Sequence, residues 1–450
     1  VRARRAADLA RSEAATAEQV ARFMETLFKV SNPSEARGNS VTAREILDAG
    51  AARIDTSLVD QPAVRGRLMC VIGDVYRALG LYKEARPLLE RGVSVSRAAR
   101  AHDDPALARA EHSLGTLLRR LGEFDAAREH YQAALTIREK LYGPEHADVA
   151  ASLTGLANIA LETGDYATAQ PLYERCIRII EKLKGPDSPE LSLYLTNLSL
   201  LHSSQFDYAE SLPLVERALA IDEKNLGPDH PFLADDLQYL GGCYTGLGRF
   251  AEARAALERA LAIQEKALGP EHTSVAETLG QLGNALKDTG DFPRALTCYE
   301  RSLAIFRETL GDSSQYVAYI LDGMSVPLRR MGRLDEALAH SSAAVEILEH
   351  TLGAEHPTLA TALVNHADNY MMLGQPREAL RALERAVQIR LDSGQAQGSV
   401  AVMDCWQRLA PVLNAAGDTA RARSVYHDAA QFLDPMPAWP DSEWLAFLAD

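Results

Sequence analysis

The chain lacks the motifs that carry most enzyme chemistry. It has no G-x-x-x-x-G-K-[ST] phosphate loop, no H-E-x-x-H metal helix, no G-x-S-x-G elbow and no phosphate-cradling G-x-G-x-x-G. Kinase motifs are missing too, since no catalytic-loop H-R-D is present and "DFP" at Asp291 to Pro293 is a repeat turn. No catalytic residue is therefore assigned, and the chain is not expected to be an enzyme. Its five cysteines, Cys70, Cys176, Cys243, Cys298 and Cys405, are odd in number, far apart and without a C-x-x-C pair. A disulfide framework or zinc site is not expected, and a reducing, cytoplasmic setting fits best. Basic residues are in deficit, 47 against 62 acidic for a net charge of −15, which argues against general nucleic-acid binding because that needs a basic surface. The longest apolar stretch, around Leu191 to Leu201, is broken by Ser192, Thr196, Asn197 and Ser199, so no segment is expected to span a membrane. No cofactor is implied.

What the chain does have is self-similarity. Stepping by 42 residues from Gly80 gives Gly122, Gly164, Phe206, Gly248, Gly290, Gly332 and Gly374, with Gly417 one residue late. Five residues after each stand Ala85, Ala127, Ala169, Ser211, Ala253, Ala295, Ala337, Ala379 and Ala422, and seven before stand Gly73, Gly115, Ala157, Ser199, Gly241, Gly283, Ser325, Ala367 and Ala410. A third small position follows twelve residues after the turn. Small residues let helix backbones approach, so they mark crossings. Bulky residues recur between them, Ile72 through Leu409 on one side of the turn and Val95 through Phe432 on the other. Each period reads as two amphipathic helices packed antiparallel about a glycine turn.

The connections repeat as well, in "YGPEH", "LGPDHP", "LGPEH" and "LGAEHP". Gly143, Gly185, Gly227, Gly269, Gly311 and Gly353 read as C-caps, where positive φ costs least. Pro105, Pro189, Pro231 and Pro357 suit the first turn of the next helix, with Asp104, Ser188, His230 or His356 before them as N-cap candidates. The linker histidines His146, His230, His272 and His356 come one per hairpin, which separates them instead of converging them on a metal. Glu-Arg pairs such as Glu174 with Arg175, Glu258 with Arg259 and Glu300 with Arg301 read as solvated charges with i,i+4 partners.

This pattern resembles the tetratricopeptide repeat, in the kinesin light chain type with its "GP-[ED]-HP" linkers. The resemblance implies an all-α, right-handed superhelical α-solenoid. Nine hairpins are expected over residues 63–433, between a helical capping segment at 1–62 and a capping helix at 434–450. Phe206 for the turn glycine, Glu111 for a large apolar residue, and Pro376 and Thr419 for the turn aromatic are local departures.

In proteins of this type the first helix of each hairpin lines a concave groove, and the resemblance places the candidate peptide-binding residues there. They are Arg67, Arg77, Arg109, His112 and Arg119 at a basic end, then Asn158, Asn197, Gln238, Gln281, Asn284, Arg329 and Asn365. Asn197 and Asn365 align with the groove asparagine of that type. Later groove positions include Asp235, Glu277, Asp288, Asp322, Asp368 and Asp404. The expected partner is a protein or peptide with an acidic segment near the arginines, whose planar forks can hold carboxylates.

Residues 17–54 also resemble the segment that joins a membrane-proximal helix to repeats in a group of bacterial serine/threonine protein kinases. That resemblance implies a second reading, a regulatory or sensory C-terminal region of such a kinase, tethered to the inner membrane by a segment ahead of Val1. The aromatic C-terminal residues, Trp444 to Leu448, are read as part of a cap.

Overall fold

A computed structural model describes residues 43–58, 60–99, 105–393 and 400–430. Residues 1–42 of the expected capping segment, the N-cap candidate Asp104 and the expected C-terminal cap over 434–450 lie outside them. The chain divides into two compact units, Val1–Ile221 and Asp222–Asp450. All described elements are helices.

The described part of the first unit starts with α1 (Ala43–Ser57) and continues through α2 (Pro62–Ala78), α3 (Tyr82–Ala99), α4 (Pro105–Arg120) and α5 (Phe124–Tyr142). It goes on with α6 (Ala147–Glu162), α7 (Tyr166–Lys184), α8 (Pro189–Ser204) and α9 (Tyr208–Leu226), within which the boundary falls. The second unit holds α10 (Leu233–Gly246), α11 (Phe250–Leu268), α12 (Thr273–Asp288), α13 (Phe292–Leu310) and α14 (Gln315–Arg330). It ends with α15 (Leu334–Leu352), α16 (Pro357–Met372), α17 (Pro376–Asp392), α18 (Val400–Ala415) and α19 (Thr419–Ala430). Even-numbered helices are the first helix of each hairpin and odd-numbered ones from α3 the second, so the described helices α2 to α19 follow one another as first and second helices in turn.

Each hairpin turn closes in one way. At the second, Gly122 has φ 77°, its N–H donates to the Arg119 carbonyl at 3.0 Å, and the Glu123 N–H reaches the Leu118 carbonyl at 2.9 Å. These are the paired bonds that satisfy a helix's last carbonyls when a left-handed residue follows. Phe206 makes the same bonds, to Ser203 and from Asp207 to His202, and is held at φ 61° with its ring 78% exposed. Hairpin geometry thus survives the missing glycine at the expense of backbone strain. Pro376 is absorbed as the first residue of α17, and Asp418 caps α19 by accepting from the Arg421 N–H.

Linker histidines cap the next helix. Nδ1 of His146, His272 and His356 accepts the N–H two residues on, at 3.1 to 3.2 Å, and Ser314 Oγ does the same for α14. Each satisfies one of the orphan donors of a helix start. Ser188 makes no such side-chain bond. Pro231, expected in the first helical turn, lies ahead of it: the chain turns at 231–232 with Phe232 N–H on His230 Nδ1, and α10 starts at Leu233.

Packing follows the small positions. Ala85, Ala127, Ala169, Ser211, Ala253, Ala295, Ala337, Ala379 and Ala422 are all fully buried. A Cβ at Gly73 or Gly283 would stand 2.7 Å from Leu89 or Tyr299, so the bulky residue of the second helix occupies the space a larger first-helix residue would need. Glu111, 1% exposed, is carried by two partners, Arg97 Nε and His130 Nδ1, each at 2.7 Å. Burial opposes its ionisation most strongly, but those two bonds outweigh it and hold the carboxyl below its ordinary range.

The Glu-Arg pairs are not merely solvated neighbours. Arg175, Arg217, Arg259, Arg301 and Arg385 each reach back to a glutamate of the preceding second helix, Glu139, Glu181, Glu223, Glu265 and Glu349, at 2.5 to 3.0 Å. Each also donates to the linker carbonyl of Pro144, Pro186, Pro228, Pro270 or Ala354. The rung is missing where Arg97 faces Ala133 and where Arg307 faces Ala343, and there the arginine turns to Glu111 or Asp312 instead. Sequence offset alone left these arginines as solvated charges because the glutamate each one reaches lies 36 residues back, on another helix.

Replacing Phe206 by glycine should relieve the left-handed strain and raise stability by about 1 kcal/mol. Urea unfolding followed by circular dichroism checks this, and an unchanged or lowered midpoint would mean that the exposed ring offsets its own strain.

Candidate functional site

First helices of successive hairpins lie side by side, α2 with α4 and α4 with α6 in the first unit, and α10, α12, α14, α16 and α18 in the second, whereas second helices come less close. These first helices therefore make an inner face in each unit, and every candidate groove residue lies on a first helix.

In the first unit the basic end is partly closed by its own carboxylates. Arg77 Nε holds Asp74 at 3.1 Å, and Asp74 also accepts from Ser113 Oγ at 2.7 Å, tying α4 to α2. Arg119 pairs with Glu162 on α6. Arg67 and Arg109 are half-buried on α2 and α4. His112 packs edge-on against Tyr131 and contacts Arg138, a second-helix residue, at 3.4 Å. Burial, then Arg138, then Arg77 push the His112 ring down to about 3, so it is neutral at physiological pH. Asn158 accepts from Tyr173 at 2.6 Å, and Asn197 is half-buried with no partner among the described residues.

In the second unit Gln238 donates to Thr278, which donates to Gln264 at 2.6 Å. Asn284 accepts from Tyr299 at 2.7 Å, while Gln281 is exposed and makes no bond among the described residues. A chain of alternating charge crosses the later first helices. Arg329 donates to Asn369 and Asp368, Asp368 also accepts from Arg408 at 2.8 Å, and Arg408 reaches Asp404. Asn365 donates to Asp322 Oδ2 at 2.8 Å, leaving Asp322 Oδ1 buried without a partner. Burial pushes the Asp322 carboxyl up to about 6 against the opposing effects of Asn365, Lys287 and Arg329. Asp235 is raised by burial, and Glu277 by burial with the Asp235 charge adding to it.

A packing rule links the core to this face. Tyr131, Tyr173 and Tyr299, at one repeat position of the second helix, pass over the small residue at Gly115, Ala157 or Gly283 and hydrogen-bond Thr116, Asn158 or Asn284 on the first. These inner-face groups are positioned from behind, and their remaining hydrogen-bonding capacity faces the open side. Sequence reasoning missed Arg138, whose repeat position alternates between apolar Ile180, Phe306 and Leu348 and polar Ser96, Asp222, Gln264 and Arg390 and so gave no signal, and missed Glu162, which sits at a groove position.

Chemically the face offers hydrogen bonds and fixed charge. Among the described residues no three histidine, cysteine, aspartate or glutamate side chains are placed to hold a metal ion, and no helix is long and apolar enough to cross a membrane.

Comparison with known proteins agrees with this geometry. The tetratricopeptide repeat model matches residues 65–140, 107–182, 148–224, 190–266, 236–308, 274–329 and 316–392. No curated protein matches the chain. Similar solved structures include a protein of Podosopora anserina described as a kinesin light chain with nearly identical TPR-like repeats, 26% identical over 46% of this chain and 99% of that one, with a TM-score of 0.42. BtubC (BKLC) of P. vanneervenii is 24% identical over 53% of this chain and 93% of that one, TM-score 0.42. The apo form of RapI is 14% identical over 84% of this chain and 99% of that one, TM-score 0.60, a likeness of fold.

Asp322→Asn provides a pH test. A carboxyl whose folded pKa lies near 6, above its ordinary 3.8, contributes stability below pH ~4 that is lost as pH rises through 6. The variant should be the more stable by roughly 2 kcal/mol at pH 7, less whatever Lys287 and Arg329 lose, and the advantage should vanish near pH 4. Thermal unfolding at both pH values checks it; a variant less stable at pH 7 would mean that the charge is needed by Lys287 and Arg329.

Proposed function

Because the chain belongs to the tetratricopeptide repeat family, we propose that it is a non-catalytic scaffold that binds a peptide or partner protein along the inner face of its first helices. The observation that carries this reading is the set of inner-face polar groups that the packing holds in place without saturating. Thr116, Asn158 and Asn284 are fixed from behind by tyrosines, and Asn197 and Gln281 make no bond to described residues. Such amides and hydroxyls suit a peptide backbone, whose donors and acceptors recur regardless of side chain.

The first unit's face favours an acidic segment. Arg77 and Arg119 are engaged by Asp74 and Glu162, and Arg67 and Arg109 stand on the same two helices, half-buried. The later part of the second unit's face cancels its charge through Arg329, Asp368 and Arg408, so the acidic segment is assigned to the first unit.

The alternative, a regulatory region of a bacterial serine/threonine kinase, rests on the resemblance of residues 17–54 alone. The upstream reading frame decides it: a kinase domain and an apolar segment there support it, and any other coding sequence removes it.

The test of the scaffold reading pairs the chain with the double variant Arg67→Glu, Arg109→Glu, which keeps the residues of the Arg77–Asp74 and Arg119–Glu162 pairs. The variant should lose, by about tenfold or more in affinity, an acidic partner captured by the unmodified chain, with its circular dichroism unchanged. Equal retention would move the acidic contact off this face.

A further inference from the structure

At the junction of the first two hairpins the repeat changes at three positions together. At five other junctions a second-helix arginine spans to a glutamate of the preceding second helix and to the linker carbonyl, as Arg175 does with Glu139 and Pro144. Here the arginine's position holds Ala133 and the glutamate's holds Arg97, so the charge that remains has the opposite sign. The third change is Glu111, where the next four copies carry Leu153, Leu195, Leu237 and Leu279. Beside Ala133 a cavity of about 420 Å³ opens between α3, α4 and α5. Leu107, Ala133 and Ile137 give it apolar walls, and Arg97, Thr136 and Lys140 give it polar ones. Cavities of this size accommodate small organic ligands.

Glu111 also lines the cavity and holds Arg97 in place. Its Oε1 accepts from Arg97 Nε and its Oε2 meets His130 Nδ1, each at 2.7 Å, so both oxygens are taken up within the protein. The Arg97 side chain is 56% exposed, and Nε is its only bonded nitrogen among the described residues, which leaves the two terminal nitrogens of the fork open. A buried carboxylate is a poor source of stability where leucine fits the same position without desolvation. Fixing one guanidinium nitrogen while leaving two is instead a means of aiming them. The other altered junction lacks this arrangement. Ala343 and Arg307 repeat the exchange, but Arg307 is held by Asp312 at 3.0 Å, Leu321 replaces Glu111 and Glu346 replaces Thr136.

We propose that this cavity binds a small organic carboxylate, with an apolar chain or ring against Leu107, Ala133 and Ile137 and the carboxylate on the terminal nitrogens of Arg97. The ligand completes, with the signs reversed, the ion pair that five other junctions make within the chain. It touches α3 and α5 at once, so it ties the first two hairpins together and stabilises the folded chain in proportion to its occupancy. None of the lining residues is a candidate groove residue, and the site stands independently of the scaffold reading.

The experiment titrates the full chain by calorimetry with sodium octanoate and sodium 4-phenylbutyrate, a chain and a ring, and with 1-octanol as the uncharged control. Saturable binding of at least one carboxylate is expected, weakened about tenfold in Arg97→Gln and by a similar factor for 1-octanol. Arg97→Gln also strips Glu111 of a partner, so Ala133→Leu serves as the second variant. It fills the cavity from an exposed-helix position without touching the ion pair, and it should abolish binding while leaving circular dichroism and thermal unfolding of the free chain unimpaired. Absence of saturable binding by both carboxylates overturns the proposal. Binding that survives Ala133→Leu places the ligand elsewhere and overturns it too. Equal affinity for octanoate and 1-octanol overturns the role of Arg97 and with it the assignment of a carboxylate.

Discussion

Everything in this molecule depends on how closely two helix backbones can approach at each hairpin. The second helix puts a bulky side chain, Leu89, Leu257 or Tyr299, where a Cβ on Gly73, Gly241 or Gly283 would stand within 3 Å. That contact sets the crossing, the crossing sets the turn, and repetition of the turn lines up the first helices. Where the bulky residue is tyrosine, the same contact delivers a hydroxyl through the helix pair to an inner-face amide or hydroxyl. Packing and site are thus one arrangement: without the small residue beneath it, Tyr299 could not reach Asn284.

Between hairpins the cohesion has a different source. Arginine rungs such as Arg217 on Glu181 and the Pro186 carbonyl couple each second helix to its predecessor and to the linker. Their charges are partly exposed, so each contributes at most about 1 kcal/mol and weakens with salt. Because a repeat array adds such terms junction by junction, the junctions at Ala133 and Ala343 lack this contribution, although Arg86 bridges the first of them to Glu123.

Much of this was legible in the sequence. A 42-residue step exposes the small positions, and glycine with proline marks both ends of each helix, because propensity, periodicity and turn chemistry agree. Even the departures could be located, although Phe206 keeps the glycine conformation and Glu111 is buried whole with its partners. What was not legible lies across 36 to 43 residues of chain: Arg119 read as an open groove cation, while Glu162, which neutralises it, belongs to the next hairpin. Ion-pair closure depends on rotamers reaching between helices, and no spacing rule encodes that choice. Arg138 was passed over for a simpler reason, that it sits on the helix the groove pattern ignores.

The two units consequently differ in electrostatic character although they share one repeat. The second unit's later first helices spend their charges on one another, whereas the first unit's first helices carry Arg67, Arg77, Arg109 and Arg119 on two neighbouring elements. The central claim, that partners are gripped on the inner face, is tested most directly by a photo-crosslinking residue placed at Asn197 on α8 and, separately, at Arg178 on α7, whose side chain is 66% exposed on a second helix. The account predicts that a partner is captured from position 197 and not from position 178. Capture from position 178 alone would contradict it and place the binding surface on the second helices.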